Sequence, residues 1–425
     1  MAALAPDPAS VRAALGLATP IRWEVYGADD RAVWGMCGGR GKQPYRTTVD
    51  LDGPAYSCSC PSRKFPCKHA LALLLLWASN LVPEEPAAPV FAADWLRARD
   101  SRESTPAEPR ERDEEAAAKR AAERHRRVGD GLAELDRWLR DRVRTGLAHA
   151  AGEGYAPVEQ VAARMVDAQA PGVAGMVRRS AATPASGSGW PGRLLGEYAR
   201  MRLLVRAYEQ VETLPPELAA TVRSRVGFTV ARDDVLAGPG VRDRWRVHAV
   251  RDAFEGKVDT RRVWLRGAES GRWALVLLFA AGGAELGSHP DSVLLPGTVL
   301  DAELHFYPGR PALRALIGAR QGELGTSGAP DAASLVEVLD EYSQALAEDP
   351  WLGEWPVVLA GVPVEDDTGW RLQCTDATVP LAIGDIAVWL LVATSGGAPV
   401  TVAGEWTGAA LRPLTCWHRG QAVRL

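Results

Sequence analysis

Twelve residues constrain this chain more than any others: Cys58-Ser59-Cys60-Pro61-Ser62-Arg63-Lys64-Phe65-Pro66-Cys67-Lys68-His69, the pattern C-x-C-x6-C-x-H. Thiolates and a neutral imidazole are the donors a structural zinc ion takes, and four of them close its tetrahedral shell. With no position left for water, the expectation is one structural rather than catalytic ion. Geometry adds to this. In a straight strand Cys58 and Cys60 would project from one face roughly 6.5–7 Å apart. That is too far for neighbouring corners of a tetrahedron with Zn–S bonds of about 2.3 Å. The chain must bend at this pair, and Pro61 favours the bend. Cys67 and His69 open the helix-forming run Ala70 to Trp77, which places them at a loop-to-helix junction. A thiolate there gains from the positive end of the helix dipole. The plainer alternative is buried cysteines in a disulfide-free core, with the histidine satisfied by backbone.

The rest of the chain sets the bounds. At 425 residues it is long enough for two to four domains with substantial cores. The net charge of −4 advertises neither nucleic acid nor an acidic membrane surface. Besides the motif's three cysteines, Cys37, Cys374 and Cys416 are scattered, which is no disulfide framework and fits a reducing compartment. The first residues lack a charged stretch followed by an apolar core, so no signal peptide is expected. The longest apolar run, Ala70 to Ser79, is about half of what a bilayer requires. The expectation is a cytoplasmic protein without membrane contact.

The pattern along the chain predicts an α+β multidomain architecture. A zinc-stabilised hairpin-plus-helix module occupies 1–95, with strands at Ile21–Tyr26, Arg31–Gly35 and Tyr45–Leu51. Residues 96–130 are dense in charge and poor in large apolar side chains, and read as a solvated linker or exposed helix. Residues 131–226 carry apolar residues at helical spacing, such as Leu132, Leu135, Trp138 and Leu139, and form a helical domain. Two β-rich, barrel- or sandwich-like modules follow, at 227–325 and, after a helix, at 331–425. In the second, Ile386–Val392 is expected to be a strand. The strings around Ala312-Leu313-Arg314 and Ala410-Leu411-Arg412 leave open whether the two modules are copies or alike by chance.

Catalysis finds little support, and the chain is expected not to be an enzyme. The H-E-x-x-H pattern is missing. The glycine-rich Gly38–Lys42 fails the phosphate-loop template, which needs Gly where Met36 stands and Ser or Thr at Gln43. The seven histidines are dispersed. A binding surface is the stronger expectation. Residues 1–80 hold nine Lys/Arg against six Asp/Glu, and Arg63, Lys64 and Lys68 lie between or beside the ligands, with Arg40 and Lys42 in the preceding turn. Cations interleaved with aromatics such as Tyr56 and Phe65 can contact phosphates and bases. The alternative is that they merely solvate the metal loop.

From Trp34 through Trp77 the order of hairpin, C-x-C, spacer, C-x-H and apolar helix resembles the SWIM zinc finger, with Cys58, Cys60, Cys67 and His69 as its ligands. SWIM modules are associated with DNA binding and with protein binding. The arrangement is also similar to bacterial SWIM proteins found alongside MoxR-type AAA ATPases and von Willebrand A-domain proteins. That resemblance implies a non-catalytic adaptor whose partners are proteins, with nucleic acid a weak or secondary ligand. The alternative it implies is DNA binding through the basic face of the finger.

Overall fold

The computed structural model describes residues 8–38, 44–51, 55–62, 66–103, 111–255, 258–281 and 290–425, which fall into two units, Met1–Ala117 and Ala118–Leu425. The first opens with α1 (Pro8–Leu15) and continues with β1 (Trp23–Ala28), β2 (Ala32–Cys37), β3 (Tyr45–Asp50) and β4 (Ala55–Cys58). These strands form one antiparallel sheet in sequence order. The strand expected from Ile21 begins two residues later. Pro20 fixes φ and starts a 3-10 turn over Pro20–Arg22, leaving Ile21 exposed. Asp29 closes the β1–β2 turn by accepting the backbone N–H groups of Arg31 and Ala32 at 2.9 and 2.7 Å.

Strand β2 is buried on both faces. Val33 and Cys37 face α2 (Lys68–Ala78), while Ala32 and Trp34 pack with Ala92 and Leu96 of α3 (Val90–Glu103). That is why its sequence reads as a continuous apolar run. Gly35 is required by packing, since a Cβ there would lie 2.6 Å from the Trp23 ring and 3.2 Å from Leu73. Helix α2 is apolar nearly all round because α1 covers what the sheet does not. It stops where Asn80 turns left-handed at φ 53° and the Leu81 N–H returns to the Leu76 carbonyl.

In the second unit, α4 (Glu111–Thr145), α5 (Ala156–Asp167), α6 (Pro171–Ser180), α7 (Trp190–Glu209) and α8 (Pro216–Val226) pack around one core. Leu132, Leu135, Leu139, Met165, Val177, Leu194, Met201, Leu204 and Val222 meet there. The charge-dense stretch after Trp95 is helical at both ends, in α3 and α4, and Lys119, Arg120 and Glu123 stand in solvent.

After the short α9 (Arg232–Ala237), the grammar changes to strands: β5 (Gly240–Glu255), β6 (Val258–Gly267), β7 (Trp273–Ala281), β8 (Thr298–Phe306), β9 (Arg314–Arg320) and β10 (Gly325–Thr326). Strand β9 pairs with both β7 and β8, which closes β8-β5-β6-β7-β9 into a five-stranded barrel. Val263, Leu265, Ala274, Val276 and Leu278 fill its interior. The alternate side chains Trp264, Trp273 and Leu275 point outward into a second core. That core is completed by α10 (Leu335–Glu348) and by a sheet of β11 (Trp355–Asp366), β12 (Gly369–Gln373), β13 (Thr378–Pro380), β14 (Val400–Trp406), β15 (Leu411–His418) and β16 (Gln421–Arg424). Helix α10 begins with a capping box between Ser334 and Glu337.

The two β modules have different topologies: the first contains a parallel pair and closes, while the second is antiparallel throughout its named strands and open. One expectation is corrected. Ile386–Val392 is not a strand but lies in α11 (Asp385–Ser395), inserted between β13 and β14. Its β-branched and aromatic residues imitate a buried strand. Gly384 and the left-handed Gly396 delimit eleven residues, and Val388, Leu391 and Ser395 present one helical face to the module.

A buried ion cluster links barrel and sheet. One carboxylate oxygen of Glu405, a fully buried residue, accepts from Arg262 Nε at 3.1 Å and Trp264 Nε1 at 2.9 Å. The other pairs with Arg251 at 2.9 Å and Arg412 at 3.0 Å. Glu354 engages the same three guanidinium groups at 2.7 to 3.0 Å. Burial pushes the Glu354 carboxyl up, but Arg262, Arg251 and Arg412 together outweigh it and hold the group below its ordinary range.

Candidate metal centre

The local fold brings four donors to one point. Strand β4 ends at Cys58, and the chain bends through Ser59 and Cys60, as the spacing of the pair requires. Cys67 is the N-cap residue of α2, and His69 lies in that helix's first turn. The Sγ atoms of Cys58, Cys60 and Cys67 and a ring nitrogen of His69 all lie within 4.8 Å of one another. His69 Nδ1 is 3.7 Å from Cys58 Sγ and 4.0 Å from Cys67 Sγ. The edge of a tetrahedron with bonds of about 2.3 Å is about 3.8 Å, so these separations fit zinc. The donor chemistry agrees, because thiolates select soft or borderline metals over magnesium or calcium.

Two neighbours that sequence reasoning missed hold the donors in place. Thr47 Oγ1 lies 3.3 Å from Cys58 Sγ, and the Tyr45 ring packs on His69 with centroids 4.9 Å apart. Thr47 and Cys58 are paired across β3 and β4, so only the strand register could have revealed this contact. The three thiols share too small a volume to ionise alike. Hydrogen bonding with Cys58 pulls the Cys67 thiol down to about 3 against the cost of burial, helped by His69 and the Ala70 amide at the helix start. Cys58 is pushed up, first by its hydrogen bond to Cys67 and then by burial. Burial pushes Cys60 up as well. Such a site carries more donor density than it can charge alone, and a divalent cation would relieve it.

Beside the ligands a cleft of about 430 Å³ is lined by Ser10, Ala13, Tyr45, Cys60, Pro61, Ser62, Lys68 and His69. Lys68 is exposed there. The other cations expected to form a contact surface, Arg40, Lys42, Arg63 and Lys64, lie outside the described residues, as does most of the glycine-rich turn at 38–42. Among the described residues, Cys58, Cys60, Cys67 and His69 are the one His/Cys/Asp/Glu cluster arranged to hold a metal. None of the described helices is long and apolar enough to cross a membrane.

Residues 45–78 match the family model of the SWIM zinc finger, and residues 123–226 match that of the SWIM-associated four-helix bundle domain. The first match contains β3, β4, the four donors and α2, and the second covers most of the helical core. Neither a curated protein nor a solved structure matches the chain.

Proposed function

We propose that the chain is a non-catalytic adaptor in which one zinc ion, held by Cys58, Cys60, Cys67 and His69, locks a small interaction module. The observation that carries the reading is the closed donor set, four ligands within 4.8 Å of one another. A closed shell has no place for a reacting water, so the metal's work is to fix the fold of β3, β4 and α2. The thiols require reducing surroundings, which a cytoplasmic location supplies. The helical bundle and the two β modules, most of the chain, then offer surfaces to protein partners. By the resemblance set out above, those partners are a MoxR-type AAA ATPase and a von Willebrand A-domain protein in a chaperone or remodelling system.

A second reading, nucleic-acid binding, is favoured by the cleft that sets the exposed Lys68 and the Tyr45 ring beside the ligands. Few cations are available there, and each neutralised phosphate steepens the salt dependence by a slope of about 0.9 on duplex DNA. Binding of this kind is expected to be weak and largely lost at physiological salt. The test is metal analysis of the purified full chain, with co-elution against a purified MoxR-type ATPase and titration of single- and double-stranded DNA and RNA at two salt concentrations. About one zinc per chain and a salt-tolerant protein complex are expected. Tight, salt-tolerant nucleic-acid binding that Lys68→Ala abolishes would replace the adaptor with the second reading.

A further inference from the structure

Strands β5, β6 and β7 of the barrel form a meander, β9 runs parallel to β7, and β8 closes the ring between β9 and β5. Strand β5 serves two neighbours, pairing with β8 from Gly240 to Arg246 and with β6 from Trp245 onward. This is the topology of the OB-fold, a five-stranded barrel that binds oligonucleotides and oligosaccharides. Its ligands lie on the outer face of the second and third strands and against two connections, one of them between the fourth and fifth. Here that outer face is closed, because Trp264, Trp273 and Leu275 are buried in the core shared with the neighbouring sheet. The β8–β9 connection, residues 307–313, is open. A fold does not by itself give a function, so the side chains at this connection decide.

Residues 309–313 border a cleft of about 440 Å³, the size of a small-ligand site, which Arg272, Trp273 and Trp355 also line. Arg272 holds its guanidinium 4.2 Å from the centre of the Phe306 ring, and Arg314, next to the cleft, does the same over Tyr307 at 4.2 Å. Both arginines are exposed, and neither has an acidic partner among the described residues. Arg310 meets Glu348 and Glu217 only at 3.9 and 4.0 Å, too long for hydrogen bonds. A guanidinium laid on a ring keeps its other face for a base and its N–H edge for a phosphate. The connection is also pre-set. The Arg310 N–H donates to the Thr221 hydroxyl at 2.9 Å, the Leu275 N–H to the Leu313 carbonyl at 2.7 Å, and the Tyr307 N–H to the Arg314 carbonyl at 2.9 Å. Little conformational freedom is left to lose on binding.

Planar cations interleaved with aromatic rings suit a ligand that alternates planar rings with anions. Single-stranded nucleic acid is such a ligand, whereas a duplex keeps its ring faces stacked inside. A neutral oligosaccharide would not use the free cations, and an acidic peptide would not use the ring faces. Glu217 and Glu348 keep phosphates to the Arg272 side of the cleft and can accept from the amino groups of bases.

We propose that the β8–β9 end of the barrel binds single-stranded nucleic acid, seating one nucleotide in the cleft and stacking its neighbour on the Arg314–Tyr307 pair. The site lies wholly in the second unit and needs neither Lys68 nor the zinc ion.

The test is fluorescence anisotropy of the full, zinc-loaded chain with a labelled single strand of about 15 nucleotides, within the span of one OB barrel. The matching duplex and a polyglutamate peptide are titrated beside it. The single strand should bind most tightly, with a log–log salt slope of about −2, since three arginines contribute about 0.7 each. Arg272→Ala and Arg314→Ala change exposed residues, so the fold, checked by circular dichroism, stays intact. Each should weaken binding about five-fold or more, as loss of one stacking contact does. Arg272→Lys, which keeps the charge but not the plane, should recover only part of that loss, and Lys68→Ala should change nothing. Absence of binding at about 100 µM, the weak end of non-specific affinities, would overturn the proposal. So would binding that follows Lys68 rather than Arg272 and Arg314, or a duplex or polyglutamate peptide held as tightly as the single strand.

Discussion

Two polar clusters in this molecule solve the same problem in opposite ways. Around Cys58, Cys60, Cys67 and His69, four donors converge without a counter-charge, and burial and mutual crowding push two of the three thiols up. Around Glu405, a fully buried carboxylate is surrounded by its own cations, Arg251, Arg262 and Arg412, and Glu405 and Glu354 together offset two of their three charges. The first arrangement offers the donor set of a metal ion, whereas the second is held by ion pairs within the protein. The difference follows from the size of the surroundings. The finger has a sheet of four short strands and three helices, while the Glu405 cluster rests between a barrel and a sheet with large cores of their own. A small core leans on a cross-link where a large one can carry a cluster of paired charges.

The strongest way to break this comparison is to take the metal away. Structural zinc contributes about 10 kcal/mol or more to small fingers. A chelator at neutral pH, or Cys67→Ser, is therefore expected to abolish hydrogen-exchange protection across β2, β3, β4 and α2. Protection in the bundle and in the two β modules should persist, because their cores contain none of the four donors. If the second unit loses protection in step with the first, the two regions do not differ as stated.

The converse experiment removes a partner from the self-sufficient cluster. Glu405→Gln keeps the shape and the hydrogen bond from Trp264 but leaves three arginines facing only Glu354. Breaking a buried charge cluster on one side typically costs about 3–5 kcal/mol. Denaturant unfolding of the second unit should show a loss of that size, and the zinc content should be unchanged. A loss below about 1 kcal/mol would mean that water screens the cluster and that it is not self-contained.

The two clusters also differ in how far sequence alone revealed them. The metal ligands span twelve residues, so their spacing carried the chemistry, and the bend at Cys58–Cys60 followed from strand geometry. The second cluster draws Arg251, Arg262, Glu354, Glu405 and Arg412 from β5, β6, β14, β15 and the approach to β11. Only the packing of two modules brings them together, and no local pattern encodes that. The same holds for Thr47 and Tyr45 at the metal centre, which depend on register. The strands of the first unit were legible because alternation or continuous apolar runs survive in single segments, as at Ala32–Cys37, expected from Arg31 to Gly35. Barrel closure through β9 was not, since it rests on a parallel pairing between Leu275 and Arg314. Helix α11 differs from the strand its pattern suggests for another reason: after Asp385, ten apolar or small residues ending at a glycine suit a strand and a helix about equally.

A third buried polar group has neither a metal nor an ion partner, and it gives the comparison a pH dimension. His248 sits at a bulge where the β5–β6 register shifts between Val247 and Ala249. Its ring lies edge-on to Trp273 and Trp417, 5.2 and 6.5 Å away, and neither nitrogen has a hydrogen-bond partner among the described residues. Burial, then the cations of Arg266 and Arg246, pushes its pKa down to about 3. Because the folded value is depressed below the ordinary one of about 6.5, the unfolded chain binds the proton more readily. Stability from this group is therefore complete above about pH 6.5 and is lost as pH falls towards 3, by about 2 kcal/mol at pH 5. The metal centre also weakens in acid, because thiolates must stay deprotonated to bind. The two effects are separated by His248→Phe, which keeps a ring of similar size without a titrating group. The variant should flatten the acid limb of unfolding for the second unit by about 2 kcal/mol between pH 7 and 5, and zinc should be released at the same pH as before. An unaltered acid limb in His248→Phe would mean that His248 is already charged or hydrated in the folded chain, and that this site, like the other two, has found a partner.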